Sequence, residues 1–389
     1  MLTKILCLFF LSTLIIVKSF STPLKANEPQ AQNREVQMIE KTFYGKLPDG
    51  HEVFSFSLKN EAGTQVNIIN YGAIVTHLFV KDKDGIAADI VQGYDSLEGY
   101  INDQSFFGTI VGRYGNRIDG GKFSLDGNEY QLSVNSNGNH LHGGFTGFYK
   151  ALWNAEPIES EAGPALKLTL TSPDGDEGYP GTLSMTVIYT LTNDNELKIE
   201  YEGTTDKTTI LNPTHHSYFN LTGNLNTTIL DHELTIDADS YTPVDSTLIP
   251  TGELSPVKST PMDFTKPTLI GLNIDADFQQ LKLAGGYDHN WVLNNYEKGK
   301  IRKVVSLYEP KTGRVMEVLT DQPGMQFYSG NFLNGNVKGK NGAAYEFRTA
   351  LCLEAQHYPD SPNQPEFPSV ILRPGEIYKQ TTIYKFSVK

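Results

Sequence analysis

The sequence contains few cysteines. Only two of its 389 residues are cysteines, Cys7 and Cys352, and Cys7 lies in an apolar N-terminal segment. A chain that keeps one cysteine forms no intrachain disulfide, so its packed core must stabilise it. Cys352 lies in an apolar run and is interpreted as a small buried hydrophobic residue rather than a nucleophile.

Signatures of the common cofactor-binding and hydrolase folds are also missing. The sequence has no Gly-x-Gly-x-x-Gly at a strand–helix junction, no P-loop, no Cys-x-x-Cys and no Gly-x-Ser-x-Gly elbow. These absences argue against dinucleotide binding, P-loop chemistry, thioredoxin-like redox chemistry and the serine-hydrolase elbow. We therefore expect an activity without a nucleotide cofactor.

Positive charge is scarce as well. The chain has 32 Lys and Arg against 45 Asp and Glu, a formal net charge of -13. Such a chain repels nucleic acids and anionic membrane surfaces. A neutral small molecule is the more natural partner.

The N-terminus has the pattern of an export signal. Lys4 precedes an apolar stretch, residues 5–17, which is short for a membrane span. We predict a signal peptide over residues 1–21, with cleavage after Ser21 or, alternatively, after Ala26, and a flexible polar leader over residues 22–36. The expected location is periplasmic or extracellular, with no membrane association after cleavage. An uncleaved membrane anchor is the alternative interpretation.

Beyond the leader the pattern is that of β-strands. Apolar and polar residues alternate, and turn residues separate the alternating segments. The clearest segments contain Phe54, Phe56 and Leu58; Phe123 and Leu125 before the turn Asp126-Gly127; and Met185, Val187, Tyr189 and Leu191 before a second run with Leu197, Ile199 and Tyr201. No apolar stripe has sustained helical spacing, so helices should be few and short. We predict one all-β catalytic domain over residues 37–389, a large antiparallel β-sandwich.

Two polar clusters in the first half of the domain are candidates for a site. Arg117 follows glycines that permit close approach, and its guanidinium can grip a sugar hydroxyl; a surface salt bridge is the alternative. His140 and His142 would face the same side of an extended strand, which suits a metal pair or a single hydrogen-bonding histidine. Because no acidic third ligand is nearby in the sequence, we expect no metal.

Three further candidates lie in the second half. Adjacent strand residues face opposite sides, so His215 and His216 should not serve one site, and one of them is a proton-transfer candidate. Asp288, after two glycines, either binds hydroxyls or forms an Asx-turn. Glu354 ends an apolar run, where burial should raise its pKa toward that of a useful base.

A series of short motifs follows in a fixed order along most of the mature chain. They are Gly112-Arg113 with Asn116-Arg117-Ile118, Leu141-His142-Gly143-Gly144, residues 172–181, His216-Ser217-Tyr218-Phe219-Asn220-Leu221, Gly286-Tyr287-Asp288-His289-Asn290, residues 323–331, Glu354 to Asn363, and Leu372-Arg373-Pro374-Gly375-Glu376. Taken together, these motifs resemble the aldose 1-epimerase (galactose mutarotase) family. The sequence departs from many members at His215, where they have Asn, and at Ala355, where Thr is frequent.

The resemblance implies a β-sandwich of the galactose mutarotase type that interconverts the α and β anomers of free hexoses such as galactose and glucose. It implies that Glu354 is the general base and His216 the general acid. It further implies substrate binding by Arg117, His142, Asp288 and Gln326, with Asn116 and Tyr179 as additional sugar contacts. The expected enzyme uses no cofactor, binds free monosaccharides and is a monomer or homodimer.

Three other functions compete with this interpretation. A carbohydrate-binding module would not need both Glu354 and His216. A glycoside hydrolase would need two carboxylates flanking the scissile bond, for which Asp288 and Glu354 are candidates. An epimerase of phosphorylated hexoses would need an Arg/Lys clamp, which the loops lack.

Overall fold

Strands dominate the structure, a computed structural model that describes residues 39–389. The predicted signal peptide and leader lie outside the described residues. In chain order the strands are β1 (Glu40–Lys46), β2 (Glu52–Lys59), β3 (Gln65–Ile69), β4 (Ile74–Lys81), β5 (Ala87–Asp89), β6 (Ile110–Val111), β7 (Arg117–Ile118), β8 (Lys122–Leu125), β9 (Asn128–Gln131), β10 (His140–Leu141), β11 (Asn154–Ile158), β12 (Ala165–Ser172), β13 (Leu183–Leu191), β14 (Glu196–Thr205), β15 (Thr209–Ile210), β16 (Thr214–His215), β17 (Glu233–Ile236), β18 (Ala238–Thr242), β19 (Ser255–Pro256), β20 (Thr268–Leu269), β21 (Asp288–Leu293), β22 (Arg302–Tyr308), β23 (Arg314–Thr320), β24 (Gly324–Tyr328), β25 (Cys352–Gln356), β26 (Ile371–Leu372) and β27 (Tyr378–Val388).

Helices are few and short among the described residues. They are α1 (Leu97–Asn102), α2 (Gln279–Ala284) and the single-turn 3-10 helices Asp119–Gly121, Phe148–Lys150, Asp176–Gly178, Ile270–Leu272, Lys340–Gly342 and Ser361–Asn363. Within residues 39–389, no helix has the length and apolar character needed to cross a membrane. The prediction of an all-β chain with few short helices is confirmed.

The strands form three large sheets and several two-stranded ribbons. The largest sheet has the order β11-β12-β13-β14-β27-β23-β22-β17-β20, and two five-stranded sheets have the orders β1-β2-β3-β4-β5 and β19-β18-β21-β24-β25. The longest hairpin, β13–β14, pairs Leu183 with Thr205 at one end and Leu191 with Leu197 at the other. It spans the alternating segments identified in the sequence, because alternation places one set of side chains in the core.

Strands β24 and β25 lie in the interior of the protein. Every residue of β24 and of β25 is buried, so both faces of these strands are covered. On one face the hydroxyl of Tyr384, from β27 of the nine-stranded sheet, donates to the carbonyl oxygen of Leu353 over 2.9 Å. Because side chains alternate along a strand, Glu354 lies on the face of β25 opposite to that of Leu353.

Candidate active site

The carboxyl group of Glu354 is the most buried acid of the candidate site. Glu354 is the middle residue of β25, pairs with Gln326 of β24, and is 2% exposed. Its Oε2 atom has no hydrogen-bond partner among the described residues. Burial, with a smaller effect of the Asp288 charge, raises the pKa of Glu354 well above its ordinary value, while Arg117 opposes the rise.

His216 faces this carboxyl group. It follows β16, which pairs with β6, and its Nε2 atom lies 3.6 Å from Glu354 Oε1. Its Nδ1 atom lies 3.5 Å from Cys352 Sγ. When Glu354 is a carboxylate its oxygen only accepts, so this contact then places a hydrogen on His216 Nε2, and while the ring is neutral the Cys352 thiol can donate to Nδ1. Burial lowers the pKa of His216 to about 4.

The neighbouring His215 belongs to the core instead. Its Nε2 lies 2.7 Å from Ser217 Oγ and its Nδ1 lies 3.4 Å from the Tyr189 hydroxyl. Its ring also packs at 5.8 Å from the ring of Tyr384. The prediction that the two adjacent histidines face different sides agrees with these contacts, and the histidine opposite Glu354 is His216.

A cluster of charged and amide side chains lies beside Glu354 and consists of Asp288, Arg117 and Gln326. Asp288 Oδ2 lies 3.7 Å from Arg117 Nη1, and Asp288 Oδ1 accepts a hydrogen bond from Gln326 Nε2 over 2.7 Å. Both carboxylate oxygens of Asp288 thus have partners from other strands, and the Asx-turn alternative is not what the structure shows. Gln326 Oε1 has no partner within residues 39–389.

His142 lies against His216, with ring centroids 5.0 Å apart. It follows β10, which pairs with β7 and so brings His142 toward Arg117. Its Nδ1 accepts the backbone N–H of Asn116 over 3.1 Å, and the backbone N–H of His142 donates to the Asn116 carbonyl over 3.0 Å. Burial lowers the pKa of His142, so the ring is neutral and its hydrogen lies on Nε2. Asn116 acts here through its backbone, while its side-chain oxygen accepts the N–H of Arg117.

The idea that His140 and His142 face one side of an extended strand is wrong. His142 has a left-handed backbone with φ 50°, which breaks the alternation after β10. His140 Nδ1 lies 2.7 Å from the Ser133 carbonyl and its Nε2 lies 2.6 Å from the Tyr179 hydroxyl. The hydroxyl of Tyr179, which is 1% exposed, is thereby used within the protein. A sugar contact by Tyr179 stays a prediction.

His142, His216 and Glu354 each offer a ligand atom within 4.8 Å of the others, a spacing that a metal ion could bridge. The hydrogen-bonding of His142 argues against that use. Since its Nδ1 accepts from Asn116, its Nε2 carries the ring hydrogen and has no lone pair for a metal. The three side chains fit a hydrogen-bonding site better than a metal centre.

Sequence reasoning missed three side chains of this region. The thiol of Cys352 contacts His216, and the ring of Phe106 packs against both His142 and His216. Arg113, in the same motif as Arg117, is 2% exposed. It holds the loop between β12 and β13 by donating to the carbonyls of Ser172 and Pro180. A motif alone could not tell this structural arginine from Arg117.

The site therefore combines hydrogen-bond donors and acceptors around the buried Glu354–His216 contact. Arg117, His142 and His216 offer N–H groups, while Glu354 and Gln326 offer oxygen atoms without partners in the part of the chain described. Donors and acceptors gathered in one buried place can bind the hydroxyl groups of a polyhydroxylated ligand. Such an arrangement belongs to a proton-transfer enzyme that acts on a small neutral molecule.

Comparison with known proteins agrees with that class. The family model described as aldose 1-epimerase matches residues 55–385. A galactose mutarotase of Mus musculus is 47% identical over 351 residues, which cover 90% of this chain and 99% of the relative. An aldose 1-epimerase of Escherichia coli (strain K12) is 38% identical over 342 residues, 87% of this chain and 96% of the relative.

A solved structure supports the same assignment. The crystal structure of a galactose 1-epimerase from Lactobacillus acidophilus NCFM superimposes with a TM-score of 0.79 at 30% identity, covering 90% of this chain and 99% of that chain. The chain belongs to the aldose 1-epimerase family, and it is an enzyme of the isomerase class.

Proposed function

We propose that this enzyme interconverts the α and β anomers of free hexoses, galactose and glucose among them, with Glu354 as general base and His216 as general acid. The observation that carries the proposal is the buried Glu354–His216 contact of 3.6 Å. The names of the relatives, galactose mutarotase and aldose 1-epimerase, supply the substrate class.

The reaction needs one base and one acid on the same sugar. Glu354 takes the proton of the C1 hydroxyl, the O–H electron pair forms the C1=O1 double bond, and the C1–O5 pair moves to O5. His216 protonates O5 through Nε2, which gives the open-chain aldehyde. Rotation about C1–C2 and closure with the two roles exchanged produce the other anomer, without a covalent intermediate.

The protonation of the pair is set by burial. Burial raises the pKa of Glu354 and lowers the pKa of His216, so the empty site favours the pair in its neutral form. The proposed mechanism starts from the other arrangement of the same proton, with Glu354 as a carboxylate and His216 as an imidazolium, and the positive charge of Arg117 stabilises the carboxylate. Because the two groups share one proton, a pH–rate profile reports apparent pKa values of the pair rather than of either residue.

The remaining side chains bind and orient the sugar in this proposal. Arg117 and the Nε2–H of His142 donate to sugar oxygens and stabilise negative charge that develops on the ring oxygen. Asp288 accepts sugar hydroxyls while it aligns Arg117 and Gln326. The hydrogen bond from Gln326 and the contact with Arg117 suit Asp288 to orienting these side chains rather than to the second carboxylate role of a glycoside hydrolase.

Polarimetry tests the activity directly. Freshly dissolved α-galactose and α-glucose are followed with and without the purified chain that begins at Thr22. We expect a faster approach to the same equilibrium rotation, and the two rates rank the sugars. No acceleration by folded protein would contradict the proposal and favour a sugar-binding domain.

We also propose that the protein is exported, on the strength of Lys4 and the apolar stretch that follows it. The mature N-terminus of protein recovered outside the cytoplasm, determined by mass spectrometry, tests this. A start at Thr22 would support cleavage after Ser21. An intact N-terminus in the membrane fraction would favour the anchor.

A further inference from the structure

The ring of Phe106 touches both histidines of the site. Its centroid lies 4.7 Å from that of His142 and 5.9 Å from that of His216, and it also packs at 4.8 Å against Tyr149. Phe106 is neither fully buried nor exposed. One part of the ring therefore covers the imidazoles, and another part borders solvent.

The backbone of Phe106 is held in an unusual conformation. Its φ of 61° lies in the left-handed region, which is rare for a bulky residue unless the surrounding structure enforces it. We call residues 103–109 the Phe106 loop. Its anchor on one side is the buried carboxylate of Asp103, which accepts the N–H groups of Ser105 over 2.8 Å and Phe107 over 3.1 Å, and the Tyr94 hydroxyl over 2.8 Å.

The other anchor of the loop is His216 itself. The N–H of Gly108 donates to the His216 carbonyl over 3.0 Å, and the N–H of His216 donates to the Thr109 carbonyl over 2.9 Å. The loop and the proposed acid thus share a backbone connection as well as a ring contact. Strain at Phe106 is maintained on both sides, which is unexpected for a residue that only fills space.

We propose that Phe106 is a positioning residue for the acid–base pair, whose ring fixes the imidazoles of His142 and His216 and shields them from water. The inference rests on the proposed function for its catalytic meaning. Two other roles are distinguishable: plain packing, and a platform on which the sugar stacks.

Several ionisable groups lie around His216 in addition to the Phe106 ring. Glu354 and Cys352 face it from β25, His142 from the segment after β10, and His215 and Tyr218 from its own segment, while Arg117, Asp288 and Asp103 lie one contact further away. None of them is changed by a substitution at Phe106. Removal of the ring therefore changes the packing and the water access of the two imidazoles without removing any of these ionisable groups.

The test compares Phe106→Gly, which suits the left-handed backbone, with Phe106→Leu, which keeps an apolar side chain. The imidazole titrations of His216 and His142 are followed by NMR in the free protein, and kcat and KM are measured separately with galactose. In Phe106→Gly we expect the pKa of His216 to rise by about one unit as desolvation is relieved. We expect kcat to fall roughly 10-fold or more through misplacement of the imidazoles, with KM changed by less than about 2-fold. Phe106→Leu should lie between Phe106→Gly and wild type.

Phe43→Ala is the matched control, because Phe43 is 58% exposed and packs on Phe54 in the first sheet. It should leave both titrations and kcat unchanged. Unchanged titrations and an unchanged kcat in both Phe106 variants would show that the residue only packs against its neighbours. A raised KM with unchanged kcat would make it a sugar platform, and either result would overturn the proposal.

Asp103→Asn tests the anchor separately. It should shift the His216 titration in the same direction, and the double variant Asp103→Asn, Phe106→Gly should be no worse than Phe106→Gly alone. Fully additive effects would contradict an action through the ring. The titrations need no substrate, so they remain interpretable even if the wild-type enzyme fails to accelerate mutarotation. That failure would contradict the proposed function and not the role of Phe106.

Discussion

Replacement of Glu354 by glutamine separates its role in catalysis from its role in stability. Glutamine has nearly the same shape but cannot take a proton, so the C1 hydroxyl loses its base. We expect kcat to fall about 10²–10⁴-fold, which corresponds to about 2.7–5.4 kcal/mol of lost transition-state stabilisation. Polarimetry of fresh α-galactose measures the loss.

The same substitution should not weaken the fold. Glu354 is 2% exposed, its Oε2 has no partner within the described chain, and burial raises its pKa, so the structure disfavours its charge. A neutral amide at this position removes the cost of burying a charge. We therefore expect the melting temperature of Glu354→Gln to equal or exceed that of wild type.

Glu309→Gln is the matched control. Glu309 is also fully buried, but its carboxylate accepts the backbone N–H groups of Lys311 over 3.1 Å and Thr312 over 2.7 Å in the β22–β23 turn. This variant should lose about 1–2 kcal/mol of stability and keep its rate, because a neutral amide replaces a charge-assisted acceptor. A Glu354→Gln enzyme with near-wild-type turnover would refute the base assignment, and a strongly destabilised one would refute the reasoning about its burial.

Three further outcomes follow from the same contacts. His216→Asn should lose about as much turnover as Glu354→Gln. His215→Asn should chiefly lower stability, because it loses the contact with Ser217. If polarimetry and melting experiments gave the reverse ranking, the general acid would be misassigned. The free energy of unfolding should decrease as the pH falls from 6.5 toward 4, because burial lowers the pKa of His215 and His289 to about 3 and the unfolded chain binds those protons first. The unfolding free energy obtained from urea titrations should fall by up to about 1.4 kcal/mol per pH unit for each such histidine, and a flat profile would contradict their neutral burial. Dialysis against a chelator should leave the mutarotation rate unchanged, since the Asn116 N–H occupies the Nδ1 lone pair of His142 and so keeps the ring hydrogen on Nε2, where a metal would have to bind. Loss of activity that added zinc restores would contradict this tautomer argument.

The parts of the fold and site that could be predicted from sequence are those set by local patterns. Alternation in the β13–β14 segment specifies two strands and their common face, because the side-chain period of a strand is two. Glu354 stood out for a similar reason: a single acid ends an apolar run, and a carboxyl group placed on a buried strand has a raised pKa. Two adjacent histidines on a strand had to face opposite sides, and their contacts agree.

Other features depend on contacts distant in sequence or on backbone deviations, which no local pattern encodes. Arg113 and Arg117 are four residues apart in one motif, yet one binds loop carbonyls and the other faces Asp288. The alternation rule failed at His142 because its backbone turns left-handed just after β10. The order of the nine-stranded sheet, in which β14 pairs with the last strand, likewise depends on long-range packing.

Several residues around the proposed acid–base pair have backbone conformations that are rare for residues other than glycine. Phe106, Asn116 and His142 all have positive φ, at 61°, 65° and 50°, and all three lie beside His216 or contribute to holding His142. Glu354, in contrast, sits on a regular strand in register with Gln326. The proposed base is thus placed by a rigid ladder, whereas the groups around the proposed acid are placed by strained loops. Since strained conformations persist only where the surroundings enforce them, the loops before β7 and after β10 should be where substitutions alter turnover without touching either proton-transfer residue.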